Sequence, residues 1–507
     1  MKILSIRLAC AFLLATTASC SEDFLTLQPK DVLTDANFFL TESDAQAALI
    51  GVYDNLQKEP TFTNFADAAE IEWAMSGDMY EMDGSAARIE IHSLNLPASN
   101  TIITNMYSGA YQGIGRANMV INRVSKMDQL PADTKNLILG QAKFLRGLFY
   151  YRLANYFGGV PLVIDELNAS SKLDIPRASV EDTWKQIEAD LKEAAAVLPA
   201  NWTNNADKGR ATKTAALGFL VKASLWQQKW DDAAKYSEEI MATKVHDLLP
   251  NYRDVFRESN ENNKEILFST QFRASVDAEG NNLVKRTAPR GAPSEFTGSA
   301  AWSNFVPQPQ WVNAFEKDQT GKIKDRRYWQ GIIGPGEAHQ DMPNFVMPVN
   351  VPAGWSRTGF IVTKYWEAPT LNNGGVNAPI LRFAEALLNY AEALNETGRS
   401  EEAMRQVNRV RVRAGLTEKP LSLTKAEVLD AIFYERRMEF IWEPTGAFSD
   451  LNRRGRFIDF IRNNRANFSQ LGVDKKPWLA TTPIRLPIPR EAWNRNKSLE
   501  QNPHYTF

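Results

Sequence analysis

Tryptophan is the residue whose placement in this sequence points to chemistry at a ligand. Five of the thirteen tryptophans, Trp302, Trp311, Trp329, Trp355 and Trp366, fall between residues 273 and 380, at roughly twice their average density along the chain. An indole offers a broad apolar face and one N–H donor, a combination suited to the C–H face of a sugar ring flanked by hydroxyls. Trp302 sits in Gly298-Ser299-Ala300-Ala301-Trp302-Ser303-Asn304. That context is small, polar and irregular, with little core for an indole to enter, so Trp302 leads the candidate ligand contacts and Asn304 joins it. Trp73, Trp329 and Trp355 are the next candidates. Trp311, at helical spacing with Phe315, reads as core, as do Trp226, Trp230 and Trp442 on predicted helices.

Signatures of catalysis are missing. The chain has no H-E-x-x-H, no G-x-S-x-G and no P-loop, and its two cysteines, Cys10 and Cys20, leave the body without a thiol nucleophile. The four histidines, His92, His246, His339 and His504, are isolated from one another. Gly113-Ile114-Gly115 lies in a helical stretch without the third glycine of a dinucleotide site. Glu385 and Glu392 are two helical turns, ~10.5 Å, apart along the axis, beyond the ~5–9.5 Å of a glycosidase acid pair. Their expected role is structural, satisfying arginines such as Arg409 or Arg411 on the neighbouring helix. No catalysis, cofactor or metal is expected.

The first twenty residues carry a different kind of chemistry. Lys2 and Arg7 form a basic start, and Leu8 to Thr16 is an apolar run too short for a permanent span. Thr17-Ala18-Ser19-Cys20 resembles a bacterial lipobox, which implies removal of residues 1–19 as a signal peptide and acylation of Cys20. Each buried CH₂ of such chains contributes ~0.8 kcal/mol, so several chains anchor a protein stably. Ser21-Glu22-Asp23 is similar to the acidic export signal of surface lipoproteins in Bacteroidetes-type bacteria. Residues 20–41 read as the lipid anchor and an extended tether.

Helices must position the rest. Ala142, Leu145, Phe149, Leu153 and Tyr156 form one apolar stripe, ended by Gly158-Gly159 and Pro161, and Phe383, Leu387, Tyr390, Ala391 and Leu394 form another, closed by Gly398. Further helices are expected over roughly 43–58, 105–127, 180–198, 212–228, 231–242, 307–317 and 424–442, with short strands at 265–269 and 360–363. Ser224–Ala234 and Tyr390–Ala403 each pass from a helix through a tight turn into an acidic, alanine-bearing helix start. This looks like the tetratricopeptide turn, without a regular period. From about 273 to 379 the composition shifts to Pro, Gly, Asn and aromatics. The expected architecture is mainly α, a single domain over 42–507: a tetratricopeptide-like helical scaffold (42–272 and 380–507) with a loop-rich insertion (273–379) forming the ligand-binding face. Hydrophobic residues make up 44% and charged residues 23%, a globular composition, and 58 Lys+Arg against 60 Asp+Glu exclude the basic footprint of a nucleic-acid binder.

Several segments together resemble the SusD/RagB family of nutrient-uptake outer-membrane lipoproteins. Gln141 to Leu153 followed by Phe157-Gly158-Gly159-Val160-Pro161-Leu162-Val163 is similar to the family's most recognisable stretch. Leu381 to Ala393, Asn408 to Leu416, Glu435 to Phe440, Leu486 to Glu491 and Gln501 to Tyr505 continue the order to the end of the chain. After Glu443 the family usually shows Gly and then an Arg shortly before Asp-Leu, whereas here Pro444 to Ser449 precede Asp450-Leu451 without that arginine. The resemblance implies capture of oligosaccharide at the cell surface and delivery to a TonB-dependent, SusC-like transporter, over which the lipoprotein closes as a lid. It also implies an outer-membrane location, held by the lipid. Some relatives take peptides, so a peptide binder and a structural helical-repeat adaptor are the alternatives.

Overall fold

A computed structural model describes residues 38–57, 65–82, 84–168, 170–274, 279–297, 301–367, 374–464 and 482–507. The signal peptide, Cys20 and nearly all of the 20–41 tether lie outside the described residues. Phe38 and Phe39 already pack against the core. The first helix, α1 (Glu42–Asp54), starts in a capping box: Thr41 Oγ1 accepts the Asp44 N–H at 3.2 Å and the Asp44 carboxylate accepts the Thr41 N–H at 2.8 Å.

The N-terminal part continues through α2 (Phe65–Ser76), β1 (Met79–Glu81), α3 (Ala86–His92), α4 (Thr101–Ser125), α5 (Ala132–Phe157), α6 (Val180–Val197), α7 (Lys213–Trp226) and α8 (Trp230–Thr243). From α4 onward each helix packs on the next. The predicted stripe of α5 is buried, but so is nearly every residue from Gly140 to Phe157, because α4, α6, α7 and α1 all touch this helix. Small residues allow the close approach. A Cβ on Gly113 would come within 2.4 Å of the Phe149 ring, and one on Gly159 within 2.2 Å of Ala178 O. Gly158, at φ +78°, ends α5 in a conformation that favours glycine.

The insertion and the strands that flank it supply short elements: β2 (Ile266–Thr270), α9 (Leu283–Thr287), α10 (Ser294–Thr297), β3 (Phe305–Pro307), α11 (Pro309–Val312), α12 (Arg326–Gly331), β4 (Ile332–Ile333), β5 (Ile361–Val362) and β6 (Ala378–Arg382). The strands pair antiparallel as β1–β3, β2–β6 and β4–β5. The helix expected at 307–317 is only α11. Pro309 starts it, and it gives way to turns in which Ala314 N–H donates to Trp311 O and Phe315 N–H to Val312 O. Trp311 and Phe315 still meet edge to face in the core.

The C-terminal scaffold is α13 (Phe383–Glu396), α14 (Ser400–Arg413), α15 (Lys425–Glu439), α16 (Ala447–Arg453), α17 (Phe457–Asn464) and α18 (Arg490–Arg495). α13 packs on α8, α14 and α15 and so joins the two halves.

Ion pairs join the scaffold segments on either side of the insertion, and the insertion itself, to the C-terminal helices. Arg382 bonds Glu265 at 2.6 Å, Glu439 at 3.1 Å and Glu443 at 2.7 Å; Arg413 bonds Glu265 and Glu439; Arg327 of the insertion bonds Asp325 at 2.6 Å and Glu435 at 2.8 Å. Burial alone would raise the Glu439 pKa, but Arg413, Arg382 and Arg327 outweigh it and hold the carboxyl at about 2. Lys364 of the insertion pairs with Glu443 and donates to Glu439 O and Ile441 O. Arg253 pairs with Asp341 and donates to the main-chain oxygens of Thr363, Lys364 and Trp366. A segment poor in regular structure has few ladder bonds of its own, and Arg253 satisfies three of its carbonyls instead.

Glu385 and Glu392 are structural, with partners other than the expected ones. Glu385 meets Lys222 at 2.6 Å and Arg436 at 3.5 Å, and Glu392 meets Arg453 and Arg454. Arg409 pairs with Asp247, and Arg411 with Glu316 and Glu435. The altered corner after Glu443 packs closely. A Cβ on Gly446 would lie 2.6 Å from Glu72 Cβ, and Ser449 donates to the Glu72 carboxylate through both its N–H and its hydroxyl.

Candidate ligand-binding face

Residues 302–304 run alongside the end of α9. Trp302 N–H donates to Lys285 O at 2.8 Å, Ser303 N–H to Ala288 O at 3.1 Å and Asn304 N–H to Arg286 O at 2.7 Å. Asn304 O then accepts the Met82 N–H at 2.8 Å, extending the β1–β3 pairing, in which Tyr80 stands opposite Val306. Ser303 adopts φ +49° and is fully buried. Its hydroxyl accepts the Arg290 N–H at 2.7 Å and reaches Ala288 O at 3.0 Å and Trp355 O at 3.1 Å. Ser303 thereby brings Trp302 and Trp355 to one neighbourhood from 53 positions apart in the sequence.

Trp302 is half-buried, with Lys285 Nζ 4.6 Å from its ring centroid and the Arg290 guanidinium on its carbonyl at 2.7 Å. Trp355, also half-buried, stacks on Phe345 with centroids 6.0 Å apart and an interplanar angle of 16°. Phe345 in turn packs on Phe296 and on the fully buried Trp366. A rigid aromatic layer therefore lies beneath Trp355.

The other candidates lie elsewhere. Trp73 is a correction: with 0% exposure it belongs to the core, and its indole N–H donates to Glu443 O at 2.9 Å. It appeared open in sequence because α2 is buried around much of its circumference and shows no one-sided stripe. Asn304 is buried and acts through its main chain, with its side-chain oxygen unbonded. Trp329 is 37% exposed, but its contacts are Ile323 O, Lys322 and Tyr328, none of them shared with Trp302 or Trp355. Of the histidines, His246 bridges Thr214 and Lys264 O, and burial together with Arg253 pushes His339 down to about 4.

Two family models match: the SusD family over residues 264–505, and a family described as starch-binding and associating with the outer membrane over residues 23–225. The chain belongs to the SusD/RagB family. A SusD-like protein of Formosa agariphila is 25% identical over 98% of each chain, and one of Bacteroides ovatus is 27% identical over 84% of this chain and 79% of that protein. Among solved structures, a SusD superfamily protein from Bacteroides vulgatus superposes with a TM-score of 0.79 at 21% identity, covering 92% of this chain and 100% of that one. A laminarin-binding SusD-like protein does so with 0.74 at 25% identity, covering 91% and 99%. The SusD fold, with its tetratricopeptide-like helical pairs, is thus the fold of this chain.

Three residues of this SusD-like face escaped the sequence reading. Tyr80 lies on β1, with Met82 just past its end, and Arg357 donates to both, through Nη1 to Tyr80 Oη at 3.2 Å and through its N–H to Met82 Sδ at 3.3 Å. The outward register of Tyr80, between buried Met79 and Glu81, was the available signal. Its pairing with Val306 across more than 200 residues was not. Among the described residues no helix is long and apolar enough to cross a membrane.

Proposed function

We propose that this SusD/RagB protein is a surface lipoprotein that captures oligosaccharide on the Trp302–Trp355 face and delivers it, unaltered, to a TonB-dependent SusC-like transporter, closing over it as a lid. The observation that carries this reading is the pair of half-buried indoles on segments that Ser303 joins, Trp355 stacked on Phe345, which offer faces on which pyranose C–H faces stack. Trp329 is a candidate for a separate contact. The laminarin-binding neighbour and the starch-binding family description support a glycan as the cargo. Anchoring rests on the lipobox-like Thr17 to Cys20. Binding without turnover is supported by the buried ion pairs that occupy Glu385 and Glu392, the one acid pair the sequence offered.

The test is a glycan and peptide binding screen on soluble Ser21–Phe507, repeated with Trp302→Ala, with product analysis of any bound glycan. Binding that is lost with Trp302 and leaves the chain length unchanged is the expected result. Affinity purification from detergent-solubilised outer membranes tests the lid role, the expected result being recovery of a TonB-dependent transporter.

A further inference from the structure

The cations around the indoles carry the reading further, to the class of saccharide. Lys285 Nζ lies over the Trp302 ring at 4.6 Å, Arg290 holds the Trp302 carbonyl, and Arg357 reaches Tyr80 on the adjoining strand. Arg290 and Arg357 are exposed and Lys285 is half-buried. Lys285 and Arg290 thus border Trp302, and Arg357 borders Tyr80. Of the carboxylates beside β1, Glu81 is buried and accepts the Gly84 N–H at 2.8 Å, and Asp83 lies outside the described residues.

Arg357 decides the argument. Its guanidinium makes one hydrogen bond, to the Tyr80 hydroxyl, and among the described residues no carboxylate comes within ion-pair distance. Many of the buried arginines in this molecule are taken up by carboxylates, and Arg382 alone meets three. An exposed guanidinium fork on Tyr80, two residues along the chain from Trp355, is suited to take a planar anion while the rings take the sugar face. We propose that the ligand is an acidic oligosaccharide, carrying uronate carboxylates or sulfate esters, with Trp302 and Trp355 stacking on its rings and Arg357 receiving the anionic group. This rests on the glycan-binding reading and narrows it.

The experiment titrates full-length mature protein with oligogalacturonate, a sulfated oligosaccharide and neutral laminarin oligosaccharide of equal length, using wild type, Arg357→Ala, Arg357→Lys and Trp302→Ala. The expected result is at least tenfold tighter binding of one acidic ligand than of laminarin oligosaccharide. Arg357→Ala should lose about tenfold on the acidic ligand only, Arg357→Lys should lose less, and affinity should fall as salt rises from about 0.05 to about 0.5 M. The acidic arm that binds tells carboxylate from sulfate. Equal affinity for acidic and neutral oligosaccharides, with Trp302→Ala still weakening both, overturns the acidic class and leaves the glycan reading intact. Equal binding of an oligoglutamate peptide overturns it in favour of a peptide ligand, and failure of every saccharide overturns both readings.

Discussion

The buried hydroxyl of Ser303 stands 3.1 Å from the carbonyl oxygen of Trp355, and the same hydroxyl accepts the Arg290 N–H. One side-chain oxygen, on the residue next to Trp302 in sequence, thus ties the main chain at Trp355 to the main chain at Arg290. Ser303→Ala deletes that hub and leaves a buried N–H and a carbonyl short of partners, at a cost of about 1–3 kcal/mol. Calorimetry should register a lower unfolding temperature together with weaker glycan binding. An unchanged affinity would place the binding determinants away from these two rings.

Trp302 and Trp73 are expected to separate cleanly by phenotype. Trp302→Ala should weaken glycan binding by about tenfold or more, the loss of one aromatic anchor, with an unchanged circular dichroism spectrum. Trp73→Ala empties a fully buried site and should cost about 3–5 kcal/mol of stability, read by chemical denaturation.

Not all ion pairs are equal here. Arg382→Met removes a buried cation shared by Glu265, Glu439 and Glu443, leaving them Arg413, Arg327 and Lys364, and should cost about 3–5 kcal/mol, whereas Arg405→Met, which breaks only the exposed pair with Glu401, should change stability by less than ~1 kcal/mol. Urea denaturation of the two variants compares them directly.

The corner at Glu72 gives a pH signature. Burial raises this carboxyl from 4.5 to about 7, against hydrogen bonds from Ser449 and Tyr156 that favour its ionised form. A raised pKa means that the folded state binds more protons than the unfolded one between pH 4.5 and about 7. The contribution is therefore fully present below 4.5 and lost, on the order of 3 kcal/mol in all, as pH rises through 7. Glu72→Gln should remove that slope, so the variant gains on wild type between pH 5 and about 8 in thermal melts. Glu439, held at about 2, has the opposite sign, with stability that is present above 4.5 and lost as pH falls toward 2.

Anchoring is tested at a position outside the described residues. Cys20→Ala should abolish lipid labelling and move the protein from the membrane fraction to the soluble one. Retention in the membrane would remove the lipobox reading.

Elements with one apolar face were legible in the sequence. Expected helices at 105–127, 180–198 and 231–242 correspond to Thr101–Ser125, Val180–Val197 and Trp230–Thr243, and the strand at 265–269 to Ile266–Thr270. Phe65–Ser76 was silent because its last eight residues are all buried, so no polar face marks its period. At the candidate face, Trp302 could be singled out by context and Trp355 only alongside Trp73 and Trp329, while Tyr80 and Arg357 could not be. Their proximity arises from the β1–β3 pairing and the Met82–Arg357 contact, long-range relationships that no local spacing records.

Arg253 grips the insertion by the main-chain oxygens of Thr363, Lys364 and Trp366, and Lys364 returns the grip on Glu439 O and Ile441 O. A carbonyl is the same whatever side chain its residue bears. The attachment of this segment is therefore largely indifferent to the identity of the residues displayed on its outer side, and exchanging Trp355, Arg357 or their neighbours need not loosen it. The fold separates what holds the recognition surface from what the surface recognises, so a new cargo preference can be written there by a few surface substitutions over an unaltered helical base.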